Sequence, residues 1–283
     1  MAGGIDTVEF HGLPAVRLTA PDGACALVTL YGAHVQSWTP ASGEERLYLS
    51  ERAKFQRGEP IRGGVPVVFP QFSTFGPLAR HGFARTADWE LTAQRMGADF
   101  ASVTMRLADS ARTRTLWPHA FALELTVSVG DDRLDLELGA ENPGHSAYDF
   151  QCALHTYLRV GEIETTRLYG LRGLHYRDMT QGGAEHVEQQ DALEIGAPVD
   201  RIYPAPASEL MLREPARSLS IQSLHFTDLV VWNPWERGGA ALADLPATGF
   251  RRFLCIEGAV IAKPISLAPG GEWWGRQTLI AVR

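Results

Sequence analysis

The sequence predicts an all-β protein, a large antiparallel β-sandwich with few short helices. Three observations predict it. Apolar and polar residues alternate with period two over short runs. Turn residues punctuate those runs: 28 glycines and 17 prolines are spread along the chain rather than gathered into a linker. Helical signals are scarce. Many short strands with long connections point to a sandwich, although composition alone does not choose one sandwich topology over a jelly roll. No boundary, repeat or low-complexity segment divides the 283 residues, so residues 1–283 are expected to form one domain.

The elements follow in order. Residues 16–20 alternate, Pro21-Asp22-Gly23 supplies a turn, and residues 25–30 resume as a second strand. Residues 121–129 alternate at several positions. Gly130-Asp131-Asp132 then leads into Arg133-Leu134-Asp135-Leu136-Glu137-Leu138, again with period two. That pairing predicts a β-hairpin. Residues 207–213 predict one or two helical turns, with Ser208 as cap.

Composition excludes several function classes. Hydrophobic residues make up 45% and charged residues 21%, so a core is readily buried. The net charge of -7 argues against general nucleic-acid binding, which needs a basic excess. An anionic ligand would instead require a local positive patch. Three cysteines, Cys25, Cys152 and Cys255, are too few and odd in number for a disulfide framework. They suit a reducing cytoplasm, the expected location. Residues 1–9 lack the basic and apolar regions of a secretory signal. The longest apolar candidate, residues 253–267, is interrupted by Glu257, Lys263 and Pro264 and falls short of the ~20 residues of a membrane helix.

Chemistry concentrates in a few segments. Residues 61–72, I-R-G-G-V-P-V-V-F-P-Q-F, and residues 78–85, L-A-R-H-G-F-A-R, set Arg62, His81 and Arg85 among Gly and Pro. Such a stretch is loop or bulged strand. An arginine fork suits bidentate capture of phosphate or carboxylate, and a histidine beside it titrates near neutral pH. From spacing alone, two surface arginines and one satisfied histidine explain the segment equally well.

Read as a strand, residues 150–160 place Gln151, His155, Tyr157 and Arg159 on one face. Phe150, Cys152, Leu154, Leu158 and Val160 lie on the other, which is core. The polar stripe fits a binding cleft or solvent. Alternation sets Cys152 opposite His155, which argues against a Cys-His nucleophilic pair. Cys152-x-x-His155 has metal-like spacing, but no second ligand pair follows, so no metal is expected. Glu257 is anomalous as a lone carboxylate in an apolar run. It is either salt-bridged for structure or faces a cleft where desolvation raises its pKa for base work. The second reading is preferred, because Gly258 beside it permits close approach of a ligand or another group. Trp232 and Trp235 bracket Asn233-Pro234; an exposed indole stacks on sugar C–H surfaces, though tryptophans beside such a turn also serve packing. Phosphate-loop, G-x-S-x-G, H-E-x-x-H and nicotinamide signatures are missing.

R-G-G-x-P-x-x-x-P followed by H-G-F-A-R resembles the signature of the glucose-6-phosphate 1-epimerases, hexose-phosphate mutarotases of the galactose mutarotase-like superfamily. Three later blocks resemble the same family in the same order. They are A-L-H-T-Y-L-R-V at residues 153–160 with G-L-R-G-L-H-Y-R-D at 170–178, then V-V-W-N-P-W at 230–235. The last is C-I-E-G-A at 255–259, with Pro264 and L-A-P-G-G-E-W at 267–273. The resemblance implies the family's supersandwich and a cofactor-independent interconversion of the α and β anomers of a hexose 6-phosphate, glucose 6-phosphate first. It implies Glu257 as base and His155 as acid. Arg62 and Arg85 would clamp the phosphate, and His81 would hold the ring oxygen or a neighbouring hydroxyl. Gln71, Asp178 and Trp232 would complete the substrate-binding set. A turn is the ordinary alternative for Asp178. Asp200, in D-R-I-Y, reads as structural support, and the role of Arg80 is open. No cofactor is implied, and the expected partner is a small-molecule sugar phosphate bound by a monomer. Two alternatives stay open: an aldose 1-epimerase acting on free hexoses, and a non-catalytic carbohydrate-binding or sugar-sensing protein on the same fold.

Overall fold

A computed structural model describes residues 3–204 and 209–282. Its strands form three antiparallel sheets. The first is a four-stranded meander of Gly4–Phe10, Leu13–Thr19, Cys25–Thr29 and His34–Thr39. The second has nine strands, with Glu272–Val282 and Arg133–Glu141 at its middle and Ala192–Glu194 and Glu90–Met96 at its edges. The third carries the cleft. It runs Ala184–Val187, His175–Asp178, Val199–Pro204, Asp228–Asn233, Phe253–Leu267, Tyr148–Leu154, Val67–Val68, with Tyr157–Arg159 also paired to Phe253–Leu267.

The predicted hairpin is present as Ala122–Gly130 and Arg133–Glu141. Gly130 pairs with Arg133, and Asp131 takes the left-handed conformation that closes the turn (φ 54°). The helical reading of residues 207–213 is corrected. Ala207 and Ser208 lie outside the described residues, and Glu209–Arg213 is a strand. Leu210 and Leu212 enter the core while Glu209 and Arg213 stay exposed, which is period two. Two short α-helices occur among the described residues, Ala111–Leu116 and Trp235–Ala240. Ser110 starts the first with a reciprocal capping box to Thr113.

The strand Phe253–Leu267 shows how sequence sets the site. Leu254, Ile256 and Val260 point into the main core, where Leu123, Leu125, Leu134 and Leu136 of the nine-stranded sheet are also buried. The odd-numbered residues leave the opposite face. There Ala259 and Ile261 pack with Val68, Ala153, Ile202 and Val230, and Phe253 and Cys255 pack with Tyr48, Tyr157 and Leu245. These clusters form a floor, and Glu257 stands between them. Gly258 points the other way: a Cβ there would lie 2.8 Å from the Phe226 ring. Its small size serves core packing, not the ligand approach expected from sequence.

The Gly-rich turn after Arg62 is built around backbone. Gly64 has φ 59°, and a Cβ on it would lie 2.2 Å from the Val35 carbonyl oxygen. Gly64→Ala combines left-handed strain, of order 1–3 kcal/mol, with that overlap. We expect a clear drop in the denaturant midpoint with an unchanged m-value. An unaltered midpoint would mean the turn has another accessible conformation.

Candidate active site

The rim of the cleft comes from the segment the sequence singled out. Leu49 and Tyr48 hold its first part: Gly64 N–H donates to the Tyr48 carbonyl (2.7 Å), and Ser50 N–H donates to that of Arg62 (3.0 Å). His34, fully buried, meets the Gly63 carbonyl through Nε2 at 2.7 Å. Burial pushes the His34 imidazole down to about 4, so it is neutral at physiological pH. His81 sits at φ 66°, an unusual conformation for a side chain of its size. Its Nδ1 accepts from Ser73 N–H (3.3 Å), which leaves Nε2 as its free ring nitrogen. Burial, then the charges of Arg85, Arg80 and Arg62, push its pKa down to about 2.

The floor comes from cross-strand rows. Register sets Asp200 beside Trp232, Trp232 beside Cys255, and Cys255 beside Tyr157. The next row is Ile202, Val230 and Glu257. His155 lies where the chain breaks between Tyr148–Leu154 and Tyr157–Arg159, tied by its N–H to the Pro66 carbonyl. Its ring stacks on Tyr157 (centroids 4.8 Å, planes 9° apart). This puts His155 Nδ1 3.3 Å from Glu257 Oε1. Both side chains are buried, and among the described residues Glu257 Oε2 has no hydrogen-bond partner.

Burial dominates the electrostatics of the pair. It raises Glu257 well above the usual carboxylate range, with Asp200 adding to the rise and Arg80 and Arg85 opposing it. It lowers His155 well below 6.5, with His81, Arg85 and Arg62 adding to the fall. Both groups therefore favour their uncharged forms.

These residues enclose a cleft of about 620 Å³, sized for a monosaccharide derivative. Arg62, His81, Arg85, His155, Trp232 and Glu257 line it, as do Arg80 and Asp200. The arginines differ. Arg62 Nε pairs with Asp244 (3.2 Å) and its Nη1 donates to the Tyr157 hydroxyl (2.9 Å). Arg85 donates Nη2 to the Arg80 carbonyl (2.8 Å) and, among the described residues, pairs with no carboxylate; burial pushes it down to about 10. Arg80 is exposed at the mouth.

Two expected substrate contacts are turned inward. Gln71 Nε2 donates to the Ser73 and Leu78 carbonyls and its Oε1 accepts from Leu78 N–H, so it staples its own loop. The Asp178 carboxylate caps the turn at Met179–Gln181, accepting from Thr180 N–H, Thr180 Oγ1 and Gln181 Nε2. Short polar side chains satisfy nearby backbone first, and both residues do so here. Met179 and Thr180 reach the cleft instead. Trp235 packs on Phe250, away from the cleft wall that Trp232 forms. Asp200, read from sequence as support, lines the cleft with its pKa pushed up to about 6 by burial. The usable signal was its place two residues before Ile202, on the cleft face of a strand whose Val199 and Tyr203 face the core.

Residues 14–279 match the family model described as aldose 1-epimerase. A protein of Cenchrus ciliaris provisionally named glucose-6-phosphate 1-epimerase is 35% identical over 281 residues, 96% of this chain and 85% of its own. An Escherichia coli K12 protein with the same provisional name is 35% identical over 242 residues, covering 83% of this chain and 79% of its own. Among solved structures, a provisionally assigned mutarotase from Salmonella typhimurium superposes with TM-score 0.91 at 29% identity, over 99% of this chain and 94% of that one. Galactose 1-epimerase from Lactobacillus acidophilus shares the fold, with TM-score 0.75 at 15% identity over 100% and 99% of the two chains.

Proposed function

Since the chain belongs to the aldose 1-epimerase family, and is thus a mutarotase, an isomerase of sugar anomers, we propose that its substrate is a hexose 6-phosphate, glucose 6-phosphate first. The observation that carries this reading is Arg85: a partly buried guanidinium without a carboxylate partner among the described residues, in the same cleft as the His155–Glu257 pair. A partly desolvated cation without a counter-charge is costly, and a bound anion offsets that cost. The provisional names of the 35% identical relatives agree with it.

The chemistry requires one proton off the anomeric hydroxyl and one onto the ring oxygen. In the reactive state the proton of the neutral pair has passed from Glu257 to His155, 3.3 Å away, so Glu257 takes the first and His155 gives the second. The bond between C1 and the ring oxygen breaks and C1 becomes an aldehyde. Rotation about the C1–C2 bond exposes the other face, and the ring closes with the two roles exchanged. The phosphate docks on Arg62 and Arg85 through charge-assisted hydrogen bonds. Burial is the main reason His155 stays unprotonated and arginine repulsion adds to it; the phosphate's negative charge offsets that repulsion, so substrate binding raises the proton affinity of the acid. His81 and Asp200 contact ring oxygens, and Trp232 supports the sugar's apolar face.

Exchange NMR on glucose, galactose and glucose 6-phosphate, side by side, tests the reading. We expect acceleration to be greatest for the phosphate. Faster exchange of a free hexose would move the enzyme to the free-aldose branch.

A further inference from the structure

The acid–base pair has a sulfur neighbour. Cys255 and Glu257 lie two residues apart on Phe253–Leu267, so their side chains leave the same face. Cys255 pairs across the sheet with Tyr157, and His155 stacks on Tyr157. As a result one ligating atom each from His155, Cys255 and Glu257 falls within 4.8 Å of the others. All three residues are buried. Two of their polar atoms, His155 Nδ1 and Glu257 Oε2, are shielded from water and have no hydrogen bond among the described residues. Polar atoms in that state are expensive, and a ligand that engages them recovers the cost. The 3.3 Å between His155 Nδ1 and Glu257 Oε1 is close to the edge of a tetrahedron with metal–ligand bonds of ~2.0–2.1 Å.

We propose that His155, Cys255 and Glu257 form an inhibitory site for a soft or borderline divalent cation of the zinc and cadmium class. Imidazole nitrogen, thiolate sulfur and carboxylate oxygen are the donors such ions prefer. The cation enters from the cleft, which His155 and Glu257 line, and Cys255 closes on it from behind. Three protein ligands leave the fourth position to water. The thiol proton and the Glu257 carboxyl proton pass to solvent as the metal–sulfur and metal–oxygen bonds form, and no group is oxidised or reduced. Turnover stops because both proton-carrying groups are occupied as ligands. Cys152 takes no part, since it points into the main core.

Cadmium titration of the intact protein, followed by the ultraviolet cadmium–thiolate band, tests this without reference to any sugar. We expect one equivalent to saturate the band, anomer exchange to fall in parallel, and EDTA to reverse both. Cys255→Ser should lose the band and need at least ~tenfold more cadmium for half-inhibition, relative to its own metal-free rate. Cys25→Ser should keep both. A band that survives Cys255→Ser, or follows Cys25, overturns the proposal. Zinc-edge X-ray absorption on the wild type decides even if a variant fails to fold: one sulfur with nitrogen and oxygen is expected, and a shell without sulfur overturns the site. The absorption readouts stand even if no hexose phosphate is turned over, so failure of the substrate reading is separately visible.

Discussion

Glu257→Gln is expected to cut anomer exchange by about two to four orders of magnitude and at the same time raise thermal stability at alkaline pH. The rate falls because the amide keeps the carboxylate's shape but takes no proton at neutral pH. His155→Ala should lose a similar factor. Stability moves the other way for a reason visible in the cleft. Glu257 is buried, and among the described residues its Oε2 has no hydrogen-bond partner. Burial raises its folded pKa above the ordinary 4.5. A group raised in the folded state contributes its full stability below the unfolded pKa and loses it as pH rises through the folded one. Wild type therefore forfeits stability as pH climbs from about 4.5, and glutamine, which does not ionise, does not. The difference in Tm, variant minus wild type, should widen with pH, and ~1 kcal/mol corresponds to about 2–4 °C in a chain somewhat smaller than this. Calorimetry over a pH series beside the exchange assay measures both. A variant that keeps near-normal turnover and loses stability would make Glu257 a structural residue and put the base elsewhere.

The all-β class was legible because alternation, as in the hairpin Ala122–Gly130 and Arg133–Glu141, is a local property of the chain. Glu257 stood out for a different local reason: it is a lone carboxylate in an apolar run, where a charge needs a reason. Asp200 and Tyr157 were harder to read. Their place in the site comes from the register Asp200–Trp232–Cys255–Tyr157, a row assembled from four strands whose pairing no local pattern encodes. Asp178 and Gln71 show the converse. A residue type suited to a sugar hydroxyl is equally suited to a turn, and only the hydrogen bonds to Thr180, Gln181, Ser73 and Leu78 decide between them. Arg80 was an extra charge in the sequence. In the fold it faces Asp200 and Glu257, whose ionised forms it favours.

Arg85→Ala is expected to weaken glucose 6-phosphate by roughly tenfold to a hundredfold and leave free glucose nearly untouched. The size follows from charge-assisted hydrogen bonds of about 1.5–3 kcal/mol. Arg85 is the sharper choice than Arg62, which already holds Asp244 and Tyr157. Truncating Arg62 would free a carboxylate and unseat a ring that supports His155, confusing recognition with scaffolding. Arg85 gives up one carbonyl contact. Arg85→Lys should recover little, since a point charge lacks the fork that meets two phosphate oxygens. The variant also has a pH signature. Arg85 helps hold the His155 pKa down, and bound phosphate relieves that repulsion. In wild type the imidazole limb of the rate profile should thus lie at higher pH for glucose 6-phosphate than for glucose, and Arg85→Ala should narrow the gap. Inorganic phosphate should compete with the wild type and much less with the variant. Rates for both sugars in both proteins, taken across pH, decide the matter. Equal losses for the two sugars would make Arg85 part of the scaffold, and the free-aldose reading would then explain the cleft better.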